Sequence, residues 1–330
     1  MRPLSKKTNS LISLSLLFVL AMYIPSCKKD DLSSPDNNIV MEAKLSDYKI
    51  FQGKLSDLNP SDEFKHYEIA TGLFSDYAEK QRLVKIPGGH LITAVNNGLP
   101  DFPDGTMLVK TFYYYNDKKD TAKGKKIVET RLLIQSNSKW NVAVYLWNNE
   151  QTDAYLLTIG LDKTINWINE RGEGKVISYH VPNNRECATC HNSKGTIIPI
   201  GVKIRNLNFE VERNSRLINQ LIHFGNIGIM NSVDPSSFSS LPNWQDTAVS
   251  VENRARAYLD INCAHCHNKN GIASGTGIFL GYELTLDETS IIHKKKQIQN
   301  AMSDGVMPKL GTTIIDEEAL LLIKKYIEHL

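Results

Sequence analysis

The chain is expected to be α+β: an N-terminal antiparallel β-sheet or barrel domain, followed by an all-α domain. Three observations lead there. Short runs rich in β-branched and aromatic residues follow one another between residues 102 and 179 with no helical period between them. From about Asp246 the apolar spacing becomes i, i+4, i+7, i+8, that of a helix. The pentapeptide C-x-x-C-H occurs twice, at 187–191 and 263–267, once in each expected domain.

The β reading covers 107–115, 128–134, 140–147, 155–159, 165–168 and 176–179, punctuated by turn formers such as Asn137-Ser138 and Arg171-Gly172-Glu173-Gly174. In 140–147 both alternating sets are apolar, Trp140/Val142/Val144/Leu146 and Ala143/Tyr145/Trp147. That strand should be covered on both faces. Residues 73–77 read as helix or loop, and a helix is expected over 217–224. Val181 to Glu186, just before the first motif, contain a proline and no apolar repeat, so the motif sits against the β domain. Val251, Ala255, Tyr258 and Leu259 make a helical stripe leading into Cys263. Ala319, Ile323, Tyr326 and Ile327 repeat the spacing in a last helix, with Asp316 as its cap.

Two thiols followed directly by a histidine are what covalent attachment of a c-type haem requires. The thiols bond to the two porphyrin vinyl groups, and the histidine becomes an iron ligand. Two covalently bound haem c groups are therefore expected, one on Cys187 and Cys190 with His191, the other on Cys263 and Cys266 with His267. Disulfides, or a zinc site made by the four cysteines, would use the same thiols. Neither needs a histidine after each second cysteine. Met307, in Gly305-Val306-Met307-Pro308, is the candidate second ligand of the second iron, since methionine sulfur raises the potential; the alternative is a methionine filling core. For the first iron the distal ligand is open: His223 is a tentative choice, Met230 and His180 are others, and none at all is a further possibility.

Composition narrows the partners. The 330 residues carry a formal charge of +2, so nothing points to nucleic acid or to electrostatic adsorption on a membrane. There is no Gly-rich phosphate loop, Ser-His-Asp pattern or basic-aromatic array.

Arg2, Lys6 and Lys7 precede an apolar stretch, 11–24, too short to span a bilayer comfortably; residues 1–26 are an expected export signal. Ile24-Pro25-Ser26-Cys27 resembles the lipobox of bacterial lipoproteins, which makes Cys27 the lipidated residue; a plain secretory peptide would leave it as an odd thiol. Lys28-Lys29-Asp30-Asp31 is similar to the signal that sends some Gram-negative lipoproteins to the outer surface. Expected organisation is then signal 1–26, tether 27–40, β-rich domain 41–246 and helical domain 247–330. The expected location is the outer membrane of a Gram-negative bacterium, facing periplasm or cell surface and held in the lipid bilayer through Cys27.

Residues 247–330, in the order helix, CxxCH, helix, Met-Pro, helix, resemble the class I cytochrome c domain. Beyond this, the exported part is similar to a family of dihaem c-type cytochromes with an N-terminal β domain. Leu73-Phe74-Ser75-Asp76-Tyr77, Phe102-Pro103-Asp104-Gly105-Thr106, Glu129-Thr130-Arg131-Leu132-Leu133, Trp147-Asn148-Asn149-Glu150-Gln151-Thr152, Pro199-Ile200-Gly201 and 255–263 carry the likeness, with no site role read for Glu129 or Arg131. Residues 102–105, with Lys110 after them, resemble a strand of the cytochrome c′-β superfamily, some of whose members cross-link a lysine to the haem. The resemblance implies that role for Lys110; the plain alternative is a solvated strand lysine. Function follows as electron transfer with exported redox proteins. The alternative is a haem enzyme whose first iron is open to a small molecule such as peroxide or a nitrogen oxide, fed by the second haem. A third class is a surface-binding module in which haem is ancillary.

Overall fold

Long apolar alternation builds the centre of the molecule. The structure, a computed structural model, describes residues 39–330, which lie within one compact unit. Strands β1 (Lys65–His66), β2 (Glu79–Lys85), β3 (Met107–Tyr115), β4 (Lys125–Ser136), β5 (Lys139–Trp147) and β6 (Ala154–Leu156) form one antiparallel sheet in sequence order. The expected β domain followed by an all-α domain is corrected here. The architecture is mixed, with similar shares of helix and strand, the sheet in the middle and no closed barrel. Closure would need the end strands to pair with each other; instead they are stubs of two and three residues, a usual way of blunting an edge. Residues 161–181 do not extend the sheet but fold back as their own hairpin, β7 (Leu161–Ile168) with β8 (Gly174–Val181).

Both sheet faces are covered. On one, Val109, Leu132, Ala143, Tyr145 and Trp147 pack under Leu45, Ile50, Phe51, Leu58 and Phe64 of the chain's beginning. On the other, Leu108, Phe112, Val142 and Val144 meet Ile165, Trp167, Tyr179 and Val181 of the hairpin and Cys187 beyond it. Each large apolar side chain so buried contributes roughly 1.5–3 kcal/mol. The double coverage expected for 140–147 is present. A register shift between Phe112 and Tyr113 makes a bulge in the β3/β4 pair. It turns both Val128 and Glu129 to the hairpin side, where Val128 joins that core and Glu129 meets Tyr179.

Short elements follow: α1 (Asn184–Cys190), a β9 (Asn192–Ser193)/β10 (Thr196–Ile197) hairpin, α2 (Ile204–Leu207), the β11 (Glu210–Arg213)/β12 (Arg216–Asn219) hairpin and α3 (Gln220–Asn226). Residues 217–219, read as helical from the sequence, are strand, because Leu217 and Ile218 pair across to Glu212 and Val211. The last helices are α4 (Val251–Asn262), α5 (Leu286–Thr289), α6 (Ile291–Ser303) and α7 (Glu317–Glu328). Ala255, Tyr258, Leu259, Met302, Ala319, Ile323 and Tyr326 close their common core. Asp316 caps α7 by accepting from the Ala319 N–H, as the spacing suggests. No helix among the described residues is long and apolar enough to cross a membrane.

Polar bonds sew the helices to the sheet side. Lys203 pairs with buried Asp260 at 2.7 Å, and Asn262 accepts from the Phe74 N–H. Asp76, 2% exposed, accepts from the Thr313 N–H at 2.9 Å, the Thr313 hydroxyl at 2.8 Å and the Ile314 N–H at 3.3 Å. Asp76→Ala should cost about 2–4 kcal/mol in urea unfolding, since it strands buried donors that had a charged acceptor. A loss below about 1 kcal/mol would show that the seam at 313–314 holds without it.

Candidate functional site

The first motif hangs on the end of β8. Asn183 accepts from the Arg185 and Glu186 N–H groups while the Glu186 carboxylate accepts from the Asn183 N–H, a capping box that starts α1 three residues after Val181. Helical spacing then sets Cys187 and Cys190 one turn apart on α1, and His191 follows at its C-cap. The β9/β10 hairpin turns at Lys194 and Gly195, both with positive φ, and so returns Ile198 to the motif. His191 Nδ1 donates to the Ile198 carbonyl at 2.8 Å. Burial, and next Lys110, push the imidazole down to about 3. It is therefore neutral, with Nε2 left as a lone-pair donor.

The second motif is built in parallel. α4 ends at Asn262, and Cys263 is its C-cap. The loop through Thr276 and Ile278 lies along His267, whose Nδ1 is 3.4 Å from the Thr276 hydroxyl. Burial lowers the ring's basicity, and a hydrogen bond to the Ile278 backbone opposes it.

The two motifs converge. Donor atoms of Cys190, His265 and Cys266 lie within 4.8 Å of one another, and the Lys194 N–H donates to the Asn270 carbonyl at 3.3 Å. Cys190 is raised chiefly by its hydrogen bond to Cys266, and Cys266 is lowered by the same bond. Burial pushes Cys187 and Cys263 up to about 12. All four thiols are free. The cluster takes one cysteine from each motif, and with His265 its three donors are close enough to share a metal ion. A spaced thiol pair followed by a histidine whose basicity burial lowers, present twice, is a donor set that fits covalent haem.

Opposite His191 the sheet carries charge. Arg82, Lys110 and Arg131 stand directly across from one another on β2, β3 and β4, and the next row on that face is Lys80, Phe112 and Glu129. Phe112 lies under three cations: the Arg131 guanidinium is 4.5 Å from its ring centre, and the Lys80 and Lys110 ammonium groups are each 5.9 Å away. Glu129, fully buried, accepts two bonds from Arg131, at 2.6 and 2.9 Å, and one from the Tyr179 hydroxyl at 2.6 Å. All four cations are half-buried. Burial pushes Lys80 down to about 7, helped by Arg82, and it holds Lys110 well below its usual range. The folded chain thus releases the Lys80 proton near pH 7, while the unfolded chain keeps it to about its reference value of 10.5. Between those values the unfolded state binds more protons, so stability rises with pH, by at most about 1.4 kcal/mol per unit. Denaturant midpoints from pH 7 to 10 should climb in the parent chain and climb less in Lys80→Met.

The other candidates fall elsewhere. His180 spends both ring nitrogens on Asp162 (2.6 Å) and Glu186 (3.0 Å) and has none left for a metal. His223 sits on α3 with Arg213 and Glu68 as its charged neighbours, whereas those of His191 are Lys110, His265 and Arg131. Met230 is buried in the core of the sheet's hairpin side. Met307 lines a cavity of about 760 Å³ with Tyr77, Trp167 and Ile314; His267 is not among that cavity's lining residues. Cys27 and residues 1–26 lie outside the described residues. Lys80, Arg82, Glu129, Arg131 and Tyr179 were not anticipated; the signal available was two basic residues, Lys80 and Arg82, spaced two apart before an apolar pair. Comparison with protein-family models, with curated proteins and with solved structures gives no match.

Proposed function

We propose that the chain is an exported, lipid-anchored dihaem c-type cytochrome that passes single electrons between redox proteins outside the cytoplasm. The observation that carries this is the meeting of the two motifs: burial lowers the basicity of the histidine that ends each, His191 holds its Nδ1 on the Ile198 carbonyl, and the second cysteine of one motif adjoins that of the other. Bound haem supplies a one-electron iron centre. Cys187, Cys190, Cys263 and Cys266 would anchor it, and His191, its tautomer fixed by the Ile198 carbonyl, and His267 would ligate it. The contact of Cys190 with Cys266 brings the two attachment points together, which favours exchange between the groups. The signal at 1–26 and Cys27 support export and anchoring, and Lys28 to Asp31 support the outer membrane.

One observation favours the enzymatic reading as the second choice. The charged groups facing His191 include Lys110 and Arg131, whereas His180 is bonded on both nitrogens and His223 has Arg213 and Glu68 for neighbours. Neither of those two histidines is therefore set across from His191, although His265 lies beside Cys190. The test is the absorption spectrum of the protein matured with haem, reduced, with and without carbon monoxide. Two haems per chain and no change support electron transfer. A shift of half the absorbance moves the reading to an open first haem, and a chain carrying no covalent haem removes both.

A further inference from the structure

Charge inside a protein must be answered by charge or hydrogen bonds, because desolvating an unpaired ion costs several kcal/mol. On the sheet face opposite His191 that accounting does not close. Four basic side chains stand there, Lys80, Arg82, Lys110 and Arg131, with one buried carboxylate on the same face, Glu129; Lys80 also donates to the Ala78 carbonyl at 3.0 Å. Glu129 is used by Arg131 and Tyr179. Glu79 pairs with Lys118 at 2.9 Å, and Glu68 pairs with Arg213. Among the described residues, Arg82 Nε is buried without a partner. No ion pair within them includes the Lys110 ammonium. Like charges directly opposite on neighbouring strands repel. Three such residues in one row are retained at a cost to folding.

We propose that the Arg82, Lys110, Arg131 row, with Lys80 beside it, is a binding site for a small carboxylate or oxyanion. Neighbouring strands are about 4.8 Å apart, so adjacent heads in the row can share the two oxygens of one such group. Arg82 offers its unpaired Nε–H and Lys110 its ammonium, while Phe112 supplies an apolar floor that orders the cations around it. Partial burial keeps the bonds in a medium of low dielectric, where each is stronger than on the surface. Two sources have this chemistry: a free anion, or a propionate of the haem proposed on Cys187 and Cys190. Only the second rests on that reading.

The experiment is titration calorimetry with sodium acetate at constant ionic strength. It compares the haem-loaded full chain, its Cys187→Ser/Cys190→Ser form, and the Arg82→Gln, Lys110→Met and Lys139→Gln variants of whichever of these binds. Saturable one-to-one binding, weakened at least tenfold by both Arg82→Gln and Lys110→Met and unchanged by Lys139→Gln on the exposed strand end, supports the site. Binding to the loaded chain identifies a free anion. Binding only to the Cys187→Ser/Cys190→Ser form identifies the propionate. Absence of binding to both forms, or equal binding by the Lys110→Met variant, overturns the proposal. Should Arg82→Gln fail to fold, Lys110→Met decides; removing an unmatched cation, it should melt higher than the parent without acetate. A chain with no covalent haem that still binds acetate keeps the anion site while the haem reading fails.

Discussion

Glu129→Ala should lower the free energy of unfolding by about 3–5 kcal/mol, the range for removing one partner of a buried ion pair. Glu129 is fully buried, and its carboxylate is the acceptor for Arg131 and Tyr179. Without it the Arg82, Lys110, Arg131 row has no anion on its own face. Arg131 cannot shed its proton to escape, since a guanidinium stays charged in proteins. The double variant Glu129→Ala/Arg131→Met should recover most of the loss, because it removes the charge along with its partner. Urea unfolding of the two single variants and the double reads this directly. A cost below about 1 kcal/mol for Glu129→Ala would mean that Arg131 finds another anion, and the cation row would then need a different account.

With the two haems proposed above, Met307→Ala should lower the potential of one and leave the other in place. Thioether ligation raises a haem potential, and axial ligands as a class span about 0.8 V, so a fall of one to a few tenths of a volt is expected. The residue is not a loose one. Its N–H donates to the Ala301 carbonyl at 2.9 Å, and Thr313 and Ile314, beside it on the same cavity wall, are fastened to Asp76. A redox titration with two unchanged waves would remove Met307 as a ligand and leave it as a wall of the 760 Å³ cavity. Reading the Asp76→Ala chain in the same titration separates loss of the ligand from loosening of the segment that holds it.

Legibility of the fold followed how local each signal is. The long strands with β-branched and aromatic content were read, as was the strand with two apolar faces, because side-chain alternation is a property of neighbouring residues. β2 was not read: Glu79-Lys80-Gln81-Arg82 looks like a solvated stretch, and it becomes a strand only by pairing with β3 along its whole length. α1 was missed for lack of an apolar repeat, although Asn183 and Glu186 were present as a capping box. A barrel was weighed because a run of strands says nothing of its two ends. The edges β1 and β6 are too short to meet, and the β7/β8 hairpin lies over the sheet face in place of joining it.

By itself the sequence determined the donors: four cysteines and two histidines in fixed spacing, since a CxxCH motif is a local object whose parts travel together. It also determined the capped terminal helices and the strand cores. Tertiary structure alone decided three things. It turned His191 Nδ1 to Ile198 by way of a tight hairpin, and it brought Cys190 to Cys266 across 76 residues of chain. It also laid β8 and α1 over a face of charged residues that reads as solvent-facing in each strand alone. The physical reason is the same in each case. Spacing sets which atoms one segment offers, but water exclusion and charge proximity arise only between segments, and those set what the atoms can do.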